Sequence, residues 1–117
     1  MARLLIVDDA AFMRQMLTEM VAGLHEVCGE AANGEEAIEK YKELRPDIVT
    51  MDITMPRMQG IDAVREILAF DAEAKILMCS AVGHRQLVLE AMKTGAKDFV
   101  IKPFQKERIL DAISRLL

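Results

Sequence analysis

Residues 48–60 read IVTMDITMPRMQG, and the order of chemistry along them decides the fold. Ile48 to Met51 is a short, mostly apolar run, the form of a strand buried on both faces of a parallel sheet. It ends at Asp52. The segment Thr54, Met55, Pro56, Arg57, Met58, Gln59, Gly60 is then a loop, followed by a helix carrying Ile61, Val64, Ile67 and Leu68 at helical spacing. Strand, acidic strand end, loop and one-faced helix make a β–α unit.

The same unit recurs on both sides. Upstream, Arg3 to Val7 is an apolar strand ending in Asp8 and Asp9, and Phe12, Met13, Met16, Leu17, Met20, Val21 and Leu24 form a helical stripe. We take its methionines as filler of a small core. Glu26 to Ala31 is a weaker strand. Asn33 then caps a helix, with Glu36 reaching back from three positions on, and Ala37, Ile38, Tyr41 and Leu44 form its buried stripe before Pro46 stops it. Downstream, Lys75 to Ser80 is a fourth strand, Gly83 a break, and His84 to Thr94 a helix ended by Gly95. Asp98 to Ile101 is the fifth strand. Lys102 and Pro103 close it, and Ile109, Leu110, Ile113, Leu116 and Leu117 mark a last amphipathic helix.

Five strands alternating with five helices over residues 1–117 predict one doubly wound α/β domain, its mostly parallel sheet covered on both faces. A chain of 117 residues, 52% of them apolar, can fill such a core without metal or disulfide staples. Fifteen Lys and Arg against nineteen Asp and Glu give a net charge of −4, the wrong sign for a module held by nucleic-acid phosphates. No apolar run approaches the roughly 20 residues that span a bilayer. We therefore expect a cytoplasmic protein with no membrane insertion and no direct nucleic-acid ligand. Cys28 and Cys79 lack metal or redox spacing and read as buried free thiols, while His25 and His84 stand far apart, which excludes a structural zinc site.

In doubly wound sheets ligands bind beyond the carboxyl ends of the strands. Those ends supply Asp8 and Asp9, Asp52, Ser80 and Lys102. Carboxylates brought together repel, and a divalent cation removes the penalty; Mg²⁺ prefers oxygen ligands and retains waters, which suits a few acids at a sheet rim. Asp52 could then attack phosphorus to form an acyl phosphate, with Lys102 neutralising a phosphoryl oxygen and Ser80 supplying a hydroxyl to another. Alone, Asp8 and Asp9 read as a polar strand end and Lys102 as a solvated surface charge, whereas Asp52 is harder to dismiss. Taken jointly, and with Asp52 seated partly inside the sheet, they read as a site. His84 reads as an exposed polar residue at a helix start, outside that site.

At these residues the sequence resembles the receiver domain of two-component response regulators, through LLIVDD at 4–9, DITMPRMQG at 52–60, CSA at 79–81 and KPF at 102–104. DDAAFMR at 8–14 and GAKDFVIKPFQ at 95–105 are most similar to the stand-alone chemotaxis members. The resemblance implies a flavodoxin-like (βα)5 fold with strand order 2-1-3-4-5. It also implies phosphorylation of Asp52 by a chemotaxis histidine kinase, with Mg²⁺ held by Asp9, Asp52 and the Thr54 main-chain carbonyl, and by Asp8 through a water. Lys102 would meet the phosphoryl group, Ser80 would move toward it, and Phe99 would turn inward afterwards. The Lys102–Pro103 bond is expected to be cis.

By the same resemblance the chain is a switch rather than an enzyme. Its partners are the kinase, a flagellar motor switch protein and an auxiliary phosphatase, met on the surface of the fourth helix, fifth strand and fifth helix. Two departures matter. Phe99 has no hydroxyl where some chemotaxis members carry tyrosine, and Val82, two residues beyond Ser80, offers no polar group to orient an attacking water. Rapid self-dephosphorylation is therefore not expected. A phosphorelay intermediate and the receiver of a longer regulator share the same site and stay open. An aspartate-nucleophile phosphatase of the haloacid dehalogenase type wants an aspartate at position 54, which is Thr54, and a flavin binder wants more aromatics than one Tyr and no Trp.

Overall fold

A computed structural model describes all residues 1–117, and the strands lie side by side in the order β2-β1-β3-β4-β5, every pairing parallel. They are β1 (Arg3–Val7), β2 (Glu26–Ala31), β3 (Ile48–Asp52), β4 (Ile76–Ser80) and β5 (Asp98–Ile101). The helices are α1 (Ala11–Val21), α2 (Gly34–Leu44), α3 (Gly60–Phe70), α4 (Arg85–Thr94) and α5 (Lys106–Leu116). The expected class and strand order are both present. Strand order reverses between β1 and β3, so the ends of these two strands flank the crevice where such sheets bind ligands.

Side-chain alternation divides the core into two layers. Leu5, Val7, Val49, Met51, Ile76 and Met78 face α2, α3 and α4, packing on Tyr41, Ile67 and Val88. Leu4, Ile6, Ile48, Leu77 and Cys79 face α1 and α5, packing on Leu17, Val21, Ile109 and Ile113. Met13, Met16 and Met20 lie half-buried against this second layer, as core filler should. At the edge of the molecule away from the acidic strand ends, Tyr41 donates to Asp71 at 2.7 Å and Phe70 lies under Lys42 and Arg45, which ties α2 to α3.

The helix signals hold with local corrections. Asn33 caps α2 by accepting from the Glu36 amide at 2.9 Å, while the Glu36 carboxylate accepts from Ala32. Arg45 leaves α2 through the left-handed region at φ 48° just before Pro46. α1 stops at Val21, and the chain turns at Gly23 with φ 82°, so Leu24 is exposed instead of in the stripe. Phe12, in the first turn of α1, is also outside the stripe, 65% exposed. Leu117 lies beyond α5 and is exposed. Cys79 is buried, but Cys28 is only half-buried, because it occupies the register slip where edge strand β2 pairs β1.

Thr50 is buried beside Ile6 and Leu77 on the neighbouring strands, and its hydroxyl has no hydrogen-bond partner. An unpartnered buried hydroxyl costs about 1 kcal/mol or more. Thr50→Val should therefore raise unfolding free energy by about 1 kcal/mol in urea titration; a loss of stability would mean the hydroxyl is paired.

Candidate functional site

Four strand ends and one loop build the site. β1 delivers Asp8 and Asp9. Asp8 is 2% exposed and tightly held: Oδ1 accepts from the Ala10 amide at 2.9 Å, and its own amide donates to Ala31 at 3.0 Å. Asp9 is exposed. β3 ends on Asp52, 4% exposed, and one carboxylate oxygen from each of Asp8, Asp9 and Asp52 lies within 4.8 Å of the others. Lys102 follows β5, its amide donating to the Ser80 carbonyl at 2.7 Å and its bond to Pro103 cis. Its Nζ donates to Asp8 Oδ2 at 2.9 Å and Asp52 Oδ1 at 3.2 Å.

Burial, with Asp8 as the next contributor, pushes the Asp52 carboxyl up to about 6, although Lys102 opposes the rise. Burial alone would lower Lys102, but its hydrogen bond to Asp8 and the charges of both carboxylates hold it above its usual range. One lysine thus answers two carboxylates while a third stands beside them. This donor set is hard oxygen throughout, with one exposed acid, and it fits a small divalent cation that keeps part of its water shell. The Thr54 carbonyl, in the bend after β3, accepts no backbone hydrogen bond and is chemically suited to join that set.

Ser80 is fully buried next to Cys79, whose register partner is Asp52, and its hydroxyl donates to the Ala81 carbonyl at 2.9 Å. Phe99 is half-exposed on β5. With Ser80, Val88, Leu89, Met92 and Ile101 it lines an apolar groove of about 470 Å³ between β5 and α4. Val82, 79% exposed, stands at the groove's mouth. His84 differs from expectation. It is half-buried at the start of α4, lines the same groove, and keeps its Nδ1 buried without a partner, because the turn at Gly83 folds it back.

Sequence reasoning missed the residues that hold these groups in place. A Cβ on Gly60 would fall on the Asp52 carbonyl oxygen, so only glycine lets α3 begin directly beneath that residue. A Cβ on Gly34 would meet the Met58 side chain at 2.8–2.9 Å, which seats the β3–α3 loop on the start of α2, and Arg57 reaches Glu35 at 3.3 Å. Gly60 was readable in principle, as a glycine placed at a helix start. Gly34 has no signal until Met58 is seen above it.

A buried aspartate flanked by two more acids and a lysine, at the switch point of a 2-1-3-4-5 sheet, defines a class. Residues 4–114 match the family model for the response regulator receiver domain, and the chain belongs to that family. It is 61% identical over 116 residues to the chemotaxis protein CheY of Thermotoga maritima, covering 97% of this chain and 96% of that one. Identity to the CheY of Bacillus subtilis is 57%, covering 98% and 97%. In shape it matches a chain in the crystal structure of the CheX–CheY–BeF3–Mg²⁺ complex from Borrelia burgdorferi, with TM-score 0.92, 40% identity, and 97% and 87% of the two chains covered. The chain is a response regulator of the chemotaxis kind, a signalling switch. No helix is long and apolar enough to cross a membrane.

Two outcomes test this geometry. The Asp52 carboxyl titrates near 6 when folded against an ordinary 3.8, so the folded state binds its proton more tightly than the unfolded state. The group therefore destabilises the protein above pH 6, and that penalty fades as pH falls toward 4. In metal-free buffer Asp52→Asn should be more stable than the parent by about 3 kcal/mol at pH 7.5, with the gap closing by pH 4. A pH-independent gap would refute the assigned cause. Gly60→Ala should cost about 2 kcal/mol or more in urea, since backbone rather than a flexible side chain must yield.

Proposed function

We propose that this chain is one receiver domain over residues 1–117 that accepts a phosphoryl group on Asp52 from the phosphohistidine of a chemotaxis histidine kinase. The observation that carries this is the meeting of Asp8, Asp9 and Asp52 within 4.8 Å around the Lys102 ammonium. Asp9, Asp52 and the Thr54 carbonyl would hold Mg²⁺, with Asp8 acting through a water. When bound, Mg²⁺ neutralises the carboxylates and the oxygens of an incoming phosphoryl group. Asp8 suits an indirect role, because its two oxygens are already engaged by Ala10 and Lys102.

An oxygen of Asp52 attacks phosphorus as the nitrogen–phosphorus bond of the donor breaks, leaving an acyl phosphate on Asp52 and the donor histidine free. The transition state needs charge compensation and alignment more than proton transfer. Lys102 already lies 3.2 Å from Asp52 and turns to a phosphoryl oxygen without leaving the site. The Ser80 hydroxyl exchanges the Ala81 carbonyl for another phosphoryl oxygen, one hydrogen bond for one. Its turn opens room for Phe99 to leave its half-exposed position on β5, so the change is read in burial and packing. The groove between β5 and α4 then alters shape, and a flagellar motor switch protein binds the α4–β5–α5 face.

The chain acts in the cytoplasm as a switch and turns over no substrate of its own. Val82 gives an attacking water no partner, so an auxiliary phosphatase ends the signal. Incubation with acetyl phosphate and Mg²⁺ should add one phosphoryl group by intact mass, Asp52→Asn should gain none, and Lys102→Met should gain it at least about tenfold more slowly. Equal gain by the parent and Asp52→Asn would place the acceptor elsewhere.

A further inference from the structure

We propose that Arg14, on α1, is a positioning residue for the acidic cluster, holding the loop that carries Asp8 and Asp9 in the geometry that accepts a cation; this rests on the cation site assigned above. Arg14 touches none of the reacting groups. Its Nη1 donates to the Asp8 main-chain carbonyl at 2.7 Å, and its Nε donates to Glu30 Oε1 at 2.8 Å. The side chain is only 18% exposed, whereas Arg57, Arg65 and Arg115, which also form ion pairs, are 66%, 53% and 64% exposed. Of its two partners, the Asp8 carbonyl belongs to a buried residue, while Glu30 is about half exposed, so the bond to Asp8 is the fixed one.

Arg14 joins three elements at one point. Glu30 belongs to β2, Asp8 ends β1, and Arg14 itself lies in the first turns of α1. No side chain caps the start of α1, and its first turn holds no acid. The connection from β1 therefore depends on Asp8, which is bound at its side chain by Ala10, at its amide by Ala31 and at its carbonyl by Arg14. Removing the third bond frees the peptide between Asp8 and Asp9 to rotate, and that peptide sets where Asp9 points. Groups that orient metal-binding side chains commonly change metal affinity by about tenfold or more when lost.

The two nitrogens have different duties. Lysine at position 14 could answer the Glu30 charge but could not also reach the Asp8 carbonyl, because it lacks the planar fork. Glutamine at position 30 would keep an acceptor for Nε while removing the charge.

Mg²⁺ titration of the phosphate-free protein by calorimetry supplies the test, with urea unfolding and amide hydrogen exchange of the metal-free protein alongside. Arg14→Ala and Arg14→Lys should both weaken Mg²⁺ binding by about tenfold, and both should speed exchange at the Asp9 and Ala10 amides. Glu30→Gln should stay within about threefold of the parent, and Arg65→Ala, on the exposed face of α3, should match it. Parent-like affinity in Arg14→Lys, with unchanged exchange at Asp9, would overturn the positioning role and leave the cation site standing. Parent protein that binds no Mg²⁺ would overturn the cation site and this role together. If Arg14→Ala fails to fold, Arg14→Lys and Glu30→Gln carry the same decision.

Discussion

The whole arrangement depends on one ammonium group shared between two buried carboxylates. Asp8 and Asp52 end adjacent strands on the same face of the sheet, where burial and the nearby charge of Asp8 raise the proton affinity of Asp52. Both effects favour the protonated carboxyl. Lys102 supplies the compensation from the far side of β4. From β5 to β3 is two strand spacings, about 10 Å, so a long unbranched side chain must pass over whatever ends β4. Ser80 and Ala81 stand there, both small. The choice of residue at the end of β4 is thus tied to the reach of Lys102 as well as to any later role of the hydroxyl.

The same crowding explains why the cores are so regular beneath it. Each layer is built mainly from aliphatic side chains whose burial offsets the cost of charged strand ends, and the two layers meet helices that begin or end close to the site. Gly60 shows the consequence at atomic scale. α3 starts directly against the Asp52 carbonyl, so a shift at Asp52 is transmitted to a helix without any flexible intermediary. On the other side, Ser80 satisfies its hydroxyl locally and Phe99 rests half-exposed.

Much of this was legible in the sequence because it depends on period and on strand ends. Apolar runs of four to six residues alternating with one-faced helices fix a parallel sheet, and the residue after each run falls at the binding edge whatever its neighbours do. Asp8, Asp9, Asp52, Ser80 and Lys102 were located that way, and all five lie at that edge. Features that depend on contact between distant segments were not legible. Arg14 looks like any polar position on α1 until Glu30 is brought beside it, and Gly34 looks like a helix start until Met58 covers it. Phe12 and Leu24 misled because periodicity reports which side of a helix faces inward but not where its buried stripe begins and ends. His84 misled for the opposite reason, since a loop turn can bury a side chain that no periodic pattern marks.

The hydrogen bonds also set the direction from which the cluster can be completed. Both oxygens of Asp8 are engaged, one by Ala10 and one by Lys102, and Lys102 takes Oδ1 of Asp52 and leaves Oδ2. What remains for an entering cation is the exposed carboxylate of Asp9, the second oxygen of Asp52 and main-chain oxygen from the bend at Thr54. A cation held by Asp9 and Asp52 would therefore not have to displace Lys102 from Oδ1 of Asp52. Such a cation would depend on where the β1–α1 loop holds Asp9, as Lys102 depends on what ends β4.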